Sequence, residues 1–217
     1  MTDQEKYEEL CKTAPFIIGA DECGYGSWAG PLVTCAVAVP RDWHPPRGLD
    51  DSKKLRADKR EYYYSLLTEK VSYAVGMAHS DEIDQGGVIP ALHRCYLACI
   101  QKVSKPGAII VIDGEVNITE LEHLRFPKAD GIVPAVMAAS VIGKVTHDHY
   151  MLELARQYPG YLFEKHQGYG TPDHKKAILK LGMTPVHRKS YVPIEGKTTG
   201  RKIQSERGLS LDEVGQV

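Results

Sequence analysis

The stretch Phe16-Ile-Ile-Gly-Ala-Asp21-Glu22-Cys-Gly24-Tyr25-Gly26-Ser-Trp-Ala-Gly30-Pro31 is the strongest constraint on the fold: an apolar run delivers two adjacent carboxylates into a glycine-rich turn. Phe16 to Ala20 has the length and residue types of a buried strand, and Gly24, Gly26, Gly30 and Pro31 punctuate a loop. Asp21 and Glu22 are therefore expected where the strand gives out. Neighbours on a regular strand face opposite ways, so the two acids share one site only if the alternation breaks at Glu22, which Cys-Gly-Tyr-Gly permits. Two unneutralised acids in such a place suggest a cation site. The plainer reading of the dipeptide alone is a pair of solvated loop acids.

Further along, Leu32 to Val39 is a second strand candidate, stopped by Pro40 and able to pair antiparallel with the first. Residues 1 to 15 read as a helical lead-in broken at Pro15, and Arg41 to Gly48, with Pro45 and Pro46, as loop. Ser52 is placed to cap an early turn before a helix from about Ala57 to Lys70. A third strand is expected over Val71 to Ala78, a helix over Ile89 to Val103, and a short apolar strand from Ala108 to Ile112 that runs into Asp113. Leu124 to Pro127 is a short fifth strand candidate. Val133 to Tyr158 is a long helix with Pro134 in its first turn. Strands alternating with helices predict an α/β domain with a mixed sheet.

At 217 residues the chain fits one domain with a substantial core. No apolar run is long enough to span a bilayer, and the acidic, polar start is not a secretory signal. Five cysteines without a Cys-x-x-Cys pair read as reduced thiols of a cytoplasmic protein, not as disulfides or a zinc site. The net charge of −1 means that a polyanion must be bound through a local basic groove.

Acids at the ends of two strands, Asp21-Glu22 and Asp113, converge if those strands are neighbours. On the long helix Ser140, Lys144 and Asp148 are spaced by four and share one face, although Lys144 with Asp148 is also an ordinary ion pair within a helix. Carboxylates gathered at one point repel unless cations neutralise them. Mg²⁺ or Mn²⁺, hard ions that prefer oxygen, suit such a set. Two ions about 4 Å apart can activate a water and stabilise the leaving oxygen of a phosphodiester displacement.

Taken together, Gly19 to Pro31, Asp51-Ser-Lys-Lys-Leu55, Ile112-Asp-Gly114, Lys128 to Asp148, Tyr158-Pro-Gly-Tyr161, His166-Gln-Gly-Tyr-Gly-Thr171 and His187-Arg-Lys-Ser-Tyr191 resemble ribonuclease HII, in that family's order, over about residues 16 to 194. The resemblance implies a ribonuclease H-like fold: a mixed five-stranded sheet flanked by helices, with a helical extension at about 150 to 194 and a polar tail from 195 to 217. It implies endonucleolytic cleavage of the RNA strand of RNA–DNA hybrids, and of single ribonucleotides within duplex DNA, leaving 3′-OH and 5′-phosphate ends. Roles in ribonucleotide excision and primer removal follow from it. Asp21, Glu22, Asp113 and Asp148 become the catalytic, metal-binding carboxylates for Mg²⁺ or Mn²⁺. Gly24, Tyr25 and Gly26 would present backbone to the ribonucleotide and its 2′-OH. Tyr169 would stack on a sugar beyond the junction, the alternative being an aromatic packed under a loop. Lys53, Lys144 and Arg188 would contact phosphates, with Ser140 beside them.

Three positions depart from the family pattern. Tyr25 stands where Gly-Arg-Gly is usual, so an uncharged ring replaces a guanidinium. His147 replaces an arginine, and Gly143 an alanine, at a cost of roughly 1 kcal/mol in a helix. A weakly catalytic hybrid-binding module, or a hybrid-cleaving variant without junction specificity, is therefore the alternative. The sister family, ribonuclease HIII, carries an N-terminal nucleic-acid-binding domain for which 15 residues are too few. The expected partner is a nucleic acid, with no membrane; a monomer is expected, and the tail lacks a clear aromatic-pair motif for a replication clamp.

Overall fold

A computed structural model describes residues 1–191 of the chain. Its centre is an antiparallel pair, β1 (Phe16–Cys23) and β2 (Leu32–Pro40), in the register Gly19↔Val37 and Asp21↔Cys35. β3 (Ser72–Ala78) extends the sheet antiparallel beyond β2. On the other side β4 (Ile109–Asp113) pairs parallel with β1, and β5 (Leu124–Phe126) parallel with β4. The order is β3-β2-β1-β4-β5, a mixed five-stranded sheet as expected.

β1 is longer than its apolar run. Glu22 and Cys23 stay paired with Thr34 and Val33 of β2, so the strand continues through both acids instead of ending at Ala20. The side-chain alternation also stays intact. Ile17 joins the core on one face, while Ile18 and Ala20 join the core on the other.

Helices cover both faces. After α1 (Asp3–Leu10), α2 (Ala57–Thr68) and α5 (Pro134–Gln157) lie on the face of Ile17, Gly19 and Asp21. α3 (Ser80–Gly86) and α4 (Val88–Lys102) follow β3, and α4 covers the opposite face with Leu92, Tyr96, Cys99 and Ile100. Each of these fully buried apolar side chains contributes on the order of 2 kcal/mol by leaving water. α3 had no counterpart in the sequence reading because seven residues with few apolar positions give no helical period. Ser52 is not a helix cap: it is buried, and its hydroxyl meets that of Ser140 on α5 at 2.8 Å.

α5 reaches the sheet through small residues. Ala135, Ala138 and Ala139 are buried against it, and a Cβ on Gly19 would lie 2.1 Å from the backbone nitrogen of Val136. At Gly143 a Cβ would stand 3.3 Å from that of Cys35, so the missing methyl lets the helix settle closely on β2. All five cysteines are free thiols. Among the described residues, no helix is long and apolar enough to cross a membrane. The expected tail at 195–217, and the last residues of the expected catalytic domain, lie outside the described residues.

After α5 the chain forms α6 (Phe163–His166) and α7 (Pro172–Leu181), packed with Met151 and Leu154 of α5 and with Tyr158 just beyond it. A chain of buried imidazoles sits inside this lobe. His174 Nδ1 lies 2.9 Å from the Tyr169 carbonyl, His174 Nε2 lies 3.1 Å from His187 Nε2, and His187 Nδ1 accepts from the Thr184 amide at 2.9 Å. These partners leave one proton on each ring. Burial pushes His174 down to about 4 and His187 to about 3. In the unfolded chain both titrate near 6.5. Their contribution to stability is therefore whole above pH 6.5 and is lost as pH falls toward 4, at about 1.4 kcal/mol per pH unit for each. The stability advantage of the parent over His187→Gln is expected to shrink by about 2–3 kcal/mol between pH 6.5 and 4.5. An advantage that stays constant across this range, in denaturant unfolding, would rule the assignment out.

Candidate active site

The β1–β4 register sets Ala20 beside Ile112, which brings Asp21 level with Asp113 on the face covered by α5. Asp113 is held there by the turn before α5: its Oδ1 accepts from the Ala129 amide at 2.7 Å. Asp21 is buried, and burial pushes its carboxyl up to about 8, with the charges of Glu22 and Asp113 adding to the effect. Opposing this, the nearby Ser140 hydroxyl on α5 lowers it. Two of the predicted acids are therefore neighbours across the sheet.

Glu22 points the other way. Its carboxylate accepts a hydrogen bond from the Tyr96 hydroxyl on α4. Burial raises its pKa, Tyr96 lowers it, and Asp113 raises it further. The two acids of the Asp-Glu pair thus approach the same end of the sheet from opposite faces, and no break in the alternation is needed. Tyr96 was legible only as an apolar position of α4, although a buried tyrosine hydroxyl always needs a partner.

Asp148, two turns beyond Ser140 on α5, is clasped by cations. Lys144 Nζ is 2.6 Å from its Oδ1 and Arg60 on α2 is 3.7 Å from its Oδ2. Burial acts to raise its pKa, but the His147 ring at 3.6 Å and the Lys144 ammonium hold it below the usual carboxylate range. His147 is fully buried with neither ring nitrogen hydrogen bonded. Lys53 keeps an exposed side chain and reaches Asp130, a further buried carboxylate beside Asp113, at 3.2 Å. Arg60 lies outside every motif, and Asp130, although inside the Lys128 to Asp148 segment, was given no role.

Above these acids lies the turn. Gly24 has φ +79°, and a Cβ there would stand 2.6 Å from the Pro31 carbonyl and 2.7 Å from His147 Nε2, so glycine is required twice over. Tyr25 is 41% exposed and Gly26 is open to solvent. Tyr169 is 40% exposed and joined to the same turn by its bridge to Ser27, so it does not lie packed beneath a loop. Arg188 differs from expectation. It is fully buried, and its guanidinium donates to the carbonyls of Gly24 at 2.7 Å, Tyr25 at 2.8 Å and Gly30 at 3.1 Å. Its guanidinium is engaged with backbone and has no exposed surface, so here it holds the turn and is not presented to solvent as the expected phosphate contact would be.

Among the described residues, no three acid, histidine or cysteine side chains stand close enough to clasp an ion as they are. Each acid is held by a protein donor: Asp113 by Ala129, Glu22 by Tyr96, Asp148 by Lys144. The donor set nevertheless fits a hard divalent cation. It is all carboxylate oxygen, and an acid raised to about 8 by burial, with like-charged neighbours adding to it, gains most from a cation.

An open mixed sheet with one acid pair on its central strand, another acid on the parallel neighbour, and a fourth on the covering helix defines a ribonuclease H-like nuclease. Within that class, the chain belongs to the ribonuclease HII family, whose profile matches residues 18–193. Ribonuclease HII of Geobacillus kaustophilus is 40% identical over 179 residues, covering 82% of this chain and 68% of that one. Its counterpart in Bacillus cytotoxicus is 38% identical over 196 residues, covering 89% and 75%. Ribonuclease H2 of Pyrococcus horikoshii superposes with a TM-score of 0.67 at 25% identity, covering 81% of this chain and 93% of that one. RNase HII from the Archaeoglobus fulgidus complex with PCNA shares the fold, with a TM-score of 0.70 at 24% identity, covering 85% and 98%. The chain is accordingly an enzyme, a ribonuclease H acting on RNA–DNA hybrids.

Proposed function

We propose that this ribonuclease is a divalent-metal-dependent endonuclease that cuts both continuous RNA–DNA hybrids and single ribonucleotides embedded in duplex DNA, leaving 3′-OH and 5′-phosphate ends, as a monomer. The observation that carries this reading is the buried Asp21, level with Asp113 on the face covered by α5. Asp21, Glu22, Asp113 and Asp148 would hold Mg²⁺ or Mn²⁺. When bound, the ions supply an activated water and neutralise charge building on the phosphodiester. Lys144 and Arg60 keep Asp148 ionised, and Ser140 with Ser52 fixes the side of Asp21 that faces α5. The turn gives backbone close access to a 2′-OH, the group that separates RNA from DNA. Tyr169 offers an exposed ring to a neighbouring sugar, and Lys53 and Lys144 offer charge to the phosphates. Ribonucleotide excision and removal of RNA primers are the processes this activity serves.

Cleavage of two matched duplexes tests it, one with a lone ribonucleotide and one a continuous hybrid, each with Mg²⁺ and with Mn²⁺. Incision 5′ of the lone ribonucleotide, together with hybrid cleavage, is the expected result. Cutting of the hybrid alone would overturn the junction reading and place the change at Tyr25. Binding without turnover on either duplex would overturn the enzymatic reading of the four acids.

A further inference from the structure

α3 grips the segment after α7 at two points. At its start the Ser80 hydroxyl donates to the Val186 carbonyl at 2.6 Å. Near its end Asp84 accepts the Lys189 amide at 2.9 Å on one oxygen, and on the other the Ser190 amide at 3.0 Å and the Ser190 hydroxyl at 2.7 Å. Arg188 lies between the two grips. Its own amide donates to the Trp28 carbonyl at 2.7 Å, and its side chain passes beneath the turn to the carbonyls of Gly24, Tyr25 and Gly30.

A guanidinium is a rigid planar fork, so the carbonyls it collects are fixed in direction. In a trans peptide the carbonyl and the following N–H point opposite ways. Holding the carbonyls of Gly24 and Tyr25 from inside therefore aims the amides of Tyr25 and Gly26 outward. Among the described residues no backbone carbonyl accepts from either amide. These are the donors a ribose hydroxyl or phosphate would meet.

We infer that Asp84 is a positioning residue for substrate recognition: by clamping Lys189 and Ser190 it sets Arg188, which orients the backbone donors of the Gly24–Gly26 turn. The inference rests on the reading of that turn as the element that meets the ribonucleotide. Asp84 acts without touching substrate, from an exposed helix end.

The test compares the full-length parent, Asp84→Asn and Asp84→Ala. Asparagine retains an oxygen for Ser190 and loses the acceptor for Lys189, so it should fall between the other two. In Asp84→Ala, exchange of the Ser27 amide, which closes the turn onto the Gly24 carbonyl, should quicken about tenfold while the Val37 amide of β2 is unchanged. KM for the lone-ribonucleotide duplex should rise about tenfold with kcat within about twofold. Unchanged exchange at Ser27, or acceleration equal to that at Val37, would overturn the inference. Gly26→Ala separates this from failure of the turn reading, since a Cβ there meets nothing within 4 Å and leaves the fold alone. A KM unmoved by Gly26→Ala would overturn the turn reading and the recognition role with it. A KM raised by Gly26→Ala and unmoved by Asp84→Ala would overturn the role of Asp84 alone.

Discussion

Asp113→Asn should lower hybrid cleavage on the order of a thousandfold, the scale at which removing one preorganised charge from an active site is felt, while leaving the fold intact. The separation is possible because Asp113 does two jobs with different requirements. Its structural job is to accept the Ala129 amide at 2.7 Å, which the asparagine oxygen still performs. The proposed chemical job would need the negative charge, which asparagine lacks. The substitution also removes one of the like charges that raise Asp21 to about 8. Asp21 is raised in the folded state, so above its unfolded value it subtracts from stability, and this penalty grows as pH climbs toward 8. Relieving it should make Asp113→Asn melt at or above the parent temperature at pH 8 with metal chelated. Full cleavage by the variant would sink the carboxylate assignment; lost cleavage with a lowered melting temperature would show that Asp113 matters for folding instead.

Gly19→Ala should be among the most damaging single methyls in the described residues. The added Cβ would stand 2.1 Å from Val136 N, 2.3 Å from the Ala135 carbonyl carbon and 2.7 Å from Val136 Cα, all backbone. A flexible side chain could turn aside, but a helix backbone cannot. Either α5 lifts from β1 or β1 bows, and overpacking of this kind costs about 3 kcal/mol or more. Because α5 carries Ser140 and Asp148, the same displacement parts them from Asp21 on the adjoining strand. Denaturant unfolding and hybrid cleavage together check this: both should fall, and a stable variant with parental activity would show that the helix–strand approach has slack.

Much of the site was readable because its elements advertise themselves locally. Apolar runs ending in acids mark β1 and β4, and the four-residue spacing of Ser140, Lys144 and Asp148 marks a helix face. What escaped reading depended on partners distant in sequence. β1 extends through Cys23 because β2 is there to bond with it, and no local residue states that. Glu22 needs no broken alternation because Tyr96, 74 positions later, receives it on the other face. Arg188 sits among His, Lys and Ser and looks like a surface cation, yet three carbonyls some 160 positions earlier claim its donors. Single-residue chemistry could suggest what each group can bond, but not that the bonds were already taken.

The opposed orientation of Asp21 and Glu22 ties competence to assembly. One acid lies on the α5 face and the other is held by the α4 layer, so neither half of the sandwich alone would hold the proposed ligand set. An intermediate with only one layer docked would hold a single acid of the pair in place. With the proposed ligands, such a chain, emerging or half-unfolded beside nucleic acid, would become a nuclease only once both sides of its sheet are closed.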